Sequence, residues 1–176
     1  SHHYTKRTGM HIQSLKTTLL MDCEEGCILD IHLTTTRKHD SQIGPKLLRN
    51  LPETVEIMTG DKGYDDADFR SQLRTIGVED QIKYRQFKED QEYANAFLDE
   101  REYSKRSFVE NVMFVLKARF GESTRSRVWH RQFKEMVVRS LVYNLDRAFR
   151  VLFLLCKYVR METVLNWRFK KDRYSA

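Results

Sequence analysis

Four polar residues with the spacing Y-x2-R-x3-E-x6-K are the part of this sequence best suited to chemistry: Tyr103, Arg106, Glu110 and Lys117. In an α-helix, with about 100° of rotation per residue, the last three lie roughly 300°, 340° and 320° around the axis from Tyr103. All four then fall within an arc of about 60°. The opposite side is apolar and consists of Phe108, Val109, Val112, Val115 and Leu116. The pattern therefore predicts one carboxylate held between two cations and a phenol, which suits a metal ion beside a phosphate.

A second segment, Gly60-Asp61-Lys62-Gly63-Tyr64-Asp65, places an acid 49 positions before Glu110. Together the two segments resemble the insertion-sequence DDE transposases that carry a Y-R-E-K signature. Residues 34–40 (TTTRKHD) are also similar to an upstream block of haloarchaeal and related bacterial members of that group. The resemblance covers nearly the whole chain, which opens on Ser1 and reads as a fragment lacking the N-terminal part of such a protein.

The resemblance implies that Asp61 and Glu110 are the second and third catalytic acids and the metal ligands. It also implies Mg²⁺ as the cofactor, with Mn²⁺ as an alternative. The first acid is expected upstream of Ser1, because Asp22 faces a hairpin turn and Asp30 lies inside the wrong strand. We therefore expect this fragment alone to be inactive in DNA strand cleavage.

The same resemblance implies that Tyr103, Arg106 and Lys117 contact the transposon end near the cleaved strand, while Lys62 and Tyr64 are candidates for contacts with backbone phosphate. A basic stretch that could follow DNA phosphates comes next in the sequence: Arg119, Arg125, Arg127, Arg131 and Lys134.

Each of these assignments has a simpler structural alternative. Asp61 could be a turn residue or a helix cap, and Glu110 could form a surface ion pair with Arg106, four positions away. The basic side chains could simply form a solvated helix face, and Lys62 and Tyr64 could merely be exposed.

Composition limits the classes of function. The net charge of +6 and the pI near 9.2 fit a polyanionic partner such as DNA. Three cysteines are too few for a disulfide scaffold, and a reducing cytoplasm, with association to a prokaryotic nucleoid, is the simpler setting. The sequence has no run of about 18 apolar residues, no export leader and no nucleotide-binding loop, so neither a membrane nor a nucleotide cofactor is expected.

The predicted strands come first in the chain. Residues 15–22 and 27–33 have the length and composition of strands, and the Gly-containing loop between them suits a hairpin. Residues 55–59 predict a third strand, with Gly60 and Asp61 at its carboxyl end, and residues 81–84 a fourth.

Helices are predicted at 39–51, capped by Asp40 or Ser41, at 65–76, and at 103–120, where Gly121 ends the signature helix. Residues 86–102 could be a loop or an irregular helix. From Val128 apolar residues recur every three or four positions, which predicts one long amphipathic helix that reaches about 159: Trp129, Phe133, Val137, Leu141, Leu145, Ala148 and Leu152. Residues 151–156 of this helix are expected to be buried. Trp129 and Trp167 are expected to anchor a core or an interface, and the basic tail at 168–173 is expected to fray.

This order of elements predicts an α/β fold: a mixed sheet with flanking helices, a helical part from about residue 103 and a long C-terminal helix, all in one domain over 1–176. The resemblance identifies it as ribonuclease H-like, with the first strand missing. The function expected is metal-dependent DNA cleavage and strand transfer that moves an insertion sequence, by a homodimer on DNA. Two alternatives stay open: a decayed, non-catalytic DNA-binding remnant of a transposase, or a ribonuclease H-like nuclease.

Overall fold

A β-hairpin opens the part of the chain that the computed structural model describes, which is residues 15–35, 38–85 and 89–173, with only the backbone described for residues 89 and 161–173. Strand β1 (Lys16–Asp22) pairs antiparallel with β2 (Cys27–Thr34), which confirms the predicted hairpin. The register shifts between Leu20 and Met21. Gly26 closes the turn with a φ of 65°, in the left-handed region that favours glycine.

Helix α1 (Asp40–Leu47) follows, and a 3-10 turn (Leu48–Asn50) extends it. The predicted cap is wrong: the N-cap residue is His39, and its side chain makes no capping hydrogen bond. Asp40 is already helical, and its carboxylate pairs with Lys16 at 2.7 Å instead. The upstream block at 34–40 is only partly described, since residues 36 and 37 lie outside the described ranges.

A β-α-β unit forms the second sheet. Strand β3 (Ile57–Gly60) pairs in parallel with β4 (Glu79–Ile82), and the connection contains a 3-10 turn (Lys62–Tyr64) and helix α2 (Ala67–Thr75). Asp66 caps α2 by accepting a hydrogen bond from the Phe69 amide. Both predicted strands exist, although β3 begins two residues later and β4 two residues earlier than expected.

The signature segment is not one continuous helix, which corrects the prediction. Helix α3 (Glu89–Ala96) and the short α4 (Glu100–Ser104) precede α5 (Ser107–Phe120), and Tyr103 lies on α4. At the junction the Lys105 amide donates to the Glu102 carbonyl and the Arg106 amide to the Tyr103 carbonyl, as in a tighter 3-10 turn. The wheel drawn at 100° per residue therefore does not apply between Tyr103 and α5. Gly121 ends α5 as predicted, with a φ of 85°.

Helix α6 (Trp129–Arg173) is longer than expected and includes the tail that was predicted to fray. Its apolar stripe lies outward: Trp129, Leu141, Leu145 and Leu152 are exposed, and so is the segment 151–156 that was expected to be buried. Its buried side consists of Met136, Arg139, Ser140 and Tyr143. The side chain of Trp167 lies outside the described residues.

Hydrogen bonds to the hairpin explain why the polar side of α6 faces inward. The Asn144 side chain accepts from the Ile28 amide at 2.9 Å and donates to the Ile28 carbonyl at 2.8 Å, as a neighbouring strand would. The Tyr143 hydroxyl donates to the Gly26 carbonyl at 3.2 Å, and Arg147 donates to the Glu25 carbonyl at 2.7 Å. These bonds satisfy the backbone of the hairpin turn and thereby fix the rotation of α6 about its axis.

The core lies on both faces of β1. On one face Leu19 packs with Val112 and Leu116 of α5, and on the other Leu20 packs with Ile43 and Leu47 of α1. The chain is thus an α/β structure with small sheets between helices and a long C-terminal helix, as predicted. In the described residues the four strands form two separate two-stranded sheets, however, rather than one mixed sheet, because β1 and β3 are not hydrogen-bonded to each other.

Candidate metal and nucleic-acid site

A cleft of about 700 Å³ lies between the two sheets. Strands β1 and β3 form two of its walls, and α5 borders it through Val109 and Met113. Four of the seven predicted site residues line this cleft: Asp61, Tyr64, Arg106 and Glu110. Residues far apart in the sequence therefore meet at one concave surface.

Packing on both sides of the cleft brings these residues together. Helix α5 is held against the hairpin by the apolar cluster that contains Val112 and Leu116. On the other side, the Thr59 hydroxyl of β3 donates to the Tyr103 carbonyl of α4 at 3.4 Å. Because α4 leads directly into α5, this contact sets the position of Glu110 relative to the end of β3.

Asp61 immediately follows the carboxyl end of β3 and is exposed. Its Oδ1 accepts a hydrogen bond from the Lys62 amide at 2.8 Å, so the carboxylate also caps the 3-10 turn, the simpler alternative raised by the sequence. The residue is also one of those that line the cleft. The residue thus combines a structural role with access to a ligand.

Glu110 lies in the first turn of α5 with 72% of its side chain exposed. Arg106 Nη1 donates to its Oε1 at 3.3 Å, so the ion pair anticipated as the alternative is present. A pair this exposed contributes little to stability, typically about 0.3–0.5 kcal/mol. Both groups can therefore be drawn into contact with a ligand at small energetic cost.

Tyr103 lies between two cations rather than on the α5 face. The Lys83 ammonium is 4.4 Å from the centre of its ring, and the Arg106 guanidinium carbon is 5.1 Å from it. Lys117 is exposed in the last turn of α5, where its carbonyl accepts from the Gly121 amide. Arg106, Tyr103 and Lys83 thus form one positive group beside Glu110.

Lys62 and Tyr64 occupy the turn that follows Asp61. Lys62 is exposed, whereas the Tyr64 ring packs beside Phe69 with 6.3 Å between ring centroids. Burial, reinforced by the negative charge of Asp40, raises the pKa of Tyr64 to about 12, although a hydrogen bond with Thr18 opposes that rise. Its phenol is therefore a neutral hydrogen-bonding group at the cleft wall across the physiological pH range.

A buried ion network that sequence reasoning missed holds this turn in place. The Arg70 guanidinium, in α2, binds the carboxylates of Asp65 and Asp80 and lies 3.8 Å above the Tyr84 ring. Arg85 donates to the carbonyls of residues 62 and 63, both at 3.0 Å, and its amide donates to Asp65 at 2.7 Å. No spacing in the sequence signals this network, since its members come from α2, from β4 and from the loops that precede α2 and follow β4.

Asp22 and Asp30 both have hydrogen-bond partners outside the predicted catalytic set, although Asp22 also lines the cleft that contains Asp61 and Glu110. Asp22 Oδ1 accepts from the amides of Glu24 and Glu25 at 2.8 and 3.0 Å and so holds the hairpin turn. Asp30 accepts from the amide of Ile31 at 2.8 Å and from the Asn50 side chain at 3.0 Å. That neither residue is catalytic stays a prediction, but each has a structural role.

The donor chemistry suits a hard divalent ion. Asp61 and Glu110 offer carboxylate oxygens, and Mg²⁺ is often held by one or two carboxylates together with phosphate oxygens. Within the ranges that the structure describes, no three histidine, cysteine, aspartate or glutamate side chains form a group that could hold a metal. Asp61 and Glu110 therefore share a cleft and the right donor type, but the described residues do not form a complete metal site.

The chain belongs to the transposase DDE domain family, whose profile matches residues 1–145. This confirms the resemblance found in the sequence. A relative is the transposase for insertion sequence element IS1106 of Neisseria meningitidis serogroup B, which is 25% identical over 131 residues. The matched region covers 74% of this chain and 41% of that relative, so the chain spans less than half the relative's length.

No solved structure matches the chain. None of the helices in the described ranges combines the length and apolar character that crossing a membrane requires.

Proposed function

We propose that this chain forms the catalytic domain of an insertion-sequence transposase, which cleaves and joins DNA strands at the ends of its element. The observation that carries the proposal is that Asp61 and Glu110, on different elements, line the same cleft. Family membership supplies the reaction class, and the basic surroundings of Glu110 supply a reason for DNA to bind there. The whole protein's substrates are the transposon ends and the target DNA.

The cleft also supports a ribonuclease H-like sheet in the complete protein. Strands β1 and β3 each pair on one side only among the described strands, and both line the cleft. One extended strand placed between them, with the usual spacing of about 4.8 Å to each neighbour, would join all strands into a five-stranded mixed sheet. We assign the first catalytic acid to such a strand, beside Asp61 at the same edge.

In this proposal Asp61 and Glu110 hold Mg²⁺, or Mn²⁺ in its place. When bound, the metal supplies activation of the attacking oxygen and stabilisation of the leaving oxygen in phosphodiester transfer. Arg106 exchanges its ion pair with Glu110 for a DNA phosphate, for which its guanidinium has suitable geometry. Tyr103, Lys117 and Lys62 bind the DNA backbone nearby, while Tyr64 positions the turn of Asp61.

Arg127, Arg131 and Lys134 are exposed near the start of α6 and offer further positive charge for DNA. Binding along them should be dependent on salt and tolerant of sequence. We place the protein on DNA in the nucleoid, as a homodimer that brings two DNA ends together.

A non-catalytic, DNA-binding remnant is the second candidate. The ion pair between Arg106 and Glu110 and the two-acid ligand set favour it, because a folded domain can retain both without turning over DNA. The two candidates share DNA binding and differ in strand cleavage.

The test compares Asp61→Asn and Glu110→Gln with Asp90→Asn, an exposed acid outside the cleft, in the full-length protein. In the transposase, each cleft substitution should reduce Mg²⁺-dependent cleavage of end DNA by about 100-fold or more, with little change in DNA binding. Equal activity in all three variants would refute the assignment, and DNA binding without cleavage by the unmodified protein would favour the remnant.

The 176-residue chain provides a second readout. It should bind Mn²⁺ weakly, as measured by electron paramagnetic resonance, and lose that binding in Asp61→Asn but not in Asp90→Asn. It should not nick DNA. Mg²⁺-dependent nicking by this chain that disappears in Asp22→Ala would show that the first acid had been assigned wrongly.

A further inference from the structure

The outward side of α6 carries an unbroken heptad pattern. From residue 138 to residue 159, apolar or thiol side chains recur with alternating spacings of four and three: Val138, Val142, Leu145, Phe149, Leu152, Cys156 and Val159. All seven are exposed; Phe149, for example, has 66% of its surface accessible. Such spacing keeps the side chains on one stripe, about 32 Å long, along a gently supercoiled helix.

The rotation of α6 is fixed by its polar contacts with the hairpin, so the stripe cannot turn inward. Asn144 and Arg147, which bind the hairpin backbone, lie on the opposite side of the helix from the stripe. The other charged residues between 138 and 159 also lie off the stripe: Arg139, Asp146, Arg150 and Lys157. An uncharged seam of this length on a helix that is already anchored is suited to packing against another helix.

We propose that the occupant is α6 of a second copy of this chain, packed antiparallel about a two-fold axis level with residue 147. The residues that flank the seam on one side, Leu141, Ala148 and Leu155, are all apolar. In an antiparallel pair this row faces itself, whereas in a parallel pair it would face the row that contains Arg139 and Asp146. The antiparallel arrangement therefore buries apolar side chains against apolar side chains.

The proposed register defines specific contacts. Val138 lies opposite Cys156 of the second copy, Val142 opposite Leu152, and Leu145 opposite Phe149, each contact occurring twice by symmetry. The small side chain of Ala148, one residue from the axis, allows the two helices to approach closely. Asp146 also lies near the axis, and its charge is balanced within each copy by Arg119 and Arg150, both at 3.0 Å.

The surface is large enough for a specific dimer. Half-exposed Val, Leu and Phe side chains along the seam and its apolar flank offer roughly 500 Å² of apolar surface per copy. The pair would then bury about 1,000 Å² in total, which reaches the minimum expected of a biological interface but stays below the usual range of about 1,200–2,000 Å². If the same area stayed in water, it would be as large as the largest apolar patch on a typical monomer, about 300–600 Å².

This inference deepens the homodimer part of the proposed function and rests on it. Its test contains no DNA, so a failure of the α6 dimer would leave the proposed reaction unaffected.

Sedimentation equilibrium of the 176-residue chain should show a dimer. Leu152→Glu, on the seam, should weaken dimerisation by about 100-fold or more, because each interface would bury unpaired carboxylates. Leu154→Glu is the matched control, since Leu154 has similar exposure, 63% against 55%, but lies off the seam. Circular dichroism should show equal helix content in both variants, because both sites are exposed.

Disulfide formation tests the register. In a Cys23→Ser, Cys27→Ser background, Val138→Cys should form a disulfide with Cys156 of the second copy under mild oxidation, and Leu154→Cys should not. A monomeric chain, dimers that are equally stable in Leu152→Glu, or open-ended oligomers would overturn the proposal. Efficient cross-linking of Cys156 to its own counterpart would show a parallel pair and would also overturn it.

Discussion

Replacing Arg70 tests the buried network that supports the turn of Asp61. Its side chain has only 5% of its surface exposed, and the side chains of Asp65 and Asp80 beside it have 14% and 9%. Arg70 also donates to the Ile82 carbonyl at 2.7 Å. Arg70→Met preserves much of the side chain's volume but leaves two acids and one carbonyl without this partner.

The expected loss follows from that geometry. Removing one member of a buried ion set typically costs about 3–5 kcal/mol, because the remaining charges stay desolvated without compensation. Arg74→Met is the matched control. Arg74 approaches the same Asp80 at 3.9 Å, but 68% of its side chain is exposed, so its removal should cost less than about 1 kcal/mol.

The assay is urea unfolding monitored by circular dichroism. When the variants have equal m-values, a difference in their unfolding midpoints reports a difference in stability alone. Adding Asp65→Asn and Asp80→Asn to Arg70→Met should recover at least half of the loss, since the buried charges are then absent. A loss below about 1 kcal/mol for Arg70→Met, or one no larger than that of Arg74→Met, would refute this account of the network.

Two further predictions concern the hairpin turn and the start of α6. Gly26→Ala should be more destabilising than Gly77→Ala in thermal unfolding: both glycines have positive φ, but an added Cβ meets Arg147 Nη2 at 2.5 Å at residue 26 and nothing within 4 Å at residue 77. Equal losses would show that Arg147 moves aside freely. At Glu135, burial opposes ionisation, but hydrogen bonds from two backbone amides and from Arg139 outweigh it and lower the pKa. Glu135→Gln should therefore lower the free energy of unfolding at pH values above the unfolded pKa of about 4.3. The difference in stability from the unmodified protein should vanish as the pH falls through the lower pKa of the folded state. A stability difference that is constant with pH would contradict this.

Local patterns in the sequence were sufficient for most elements. The hairpin follows from two strand-like runs around a glycine turn, and the end of α5 follows from Gly121, because both depend on residues close together in the chain. Asp61 and Glu110 were identified by family resemblance rather than by any local rule. Their meeting at one cleft was an expectation that only tertiary packing could test.

The errors have a common physical origin. A wheel drawn at constant rotation could not show the 3-10 junction that separates Tyr103 from α5, since that junction follows from packing of α4 on the second sheet. The expectation that apolar segments of α6 are buried failed for a similar reason: Tyr143, Asn144 and Arg147 find hydrogen-bond partners on the hairpin, more than 110 positions away.

The sequence by itself indicated the family and the order of most strands and helices, and it supplied the candidate acids and cations of the site. Only the tertiary structure decided which residues share the cleft, how the Arg70 network supports it, and which side of α6 is left for a partner. Spacing along the chain encodes short-range geometry, whereas burial and charge pairing depend on contacts between segments that the sequence does not place side by side.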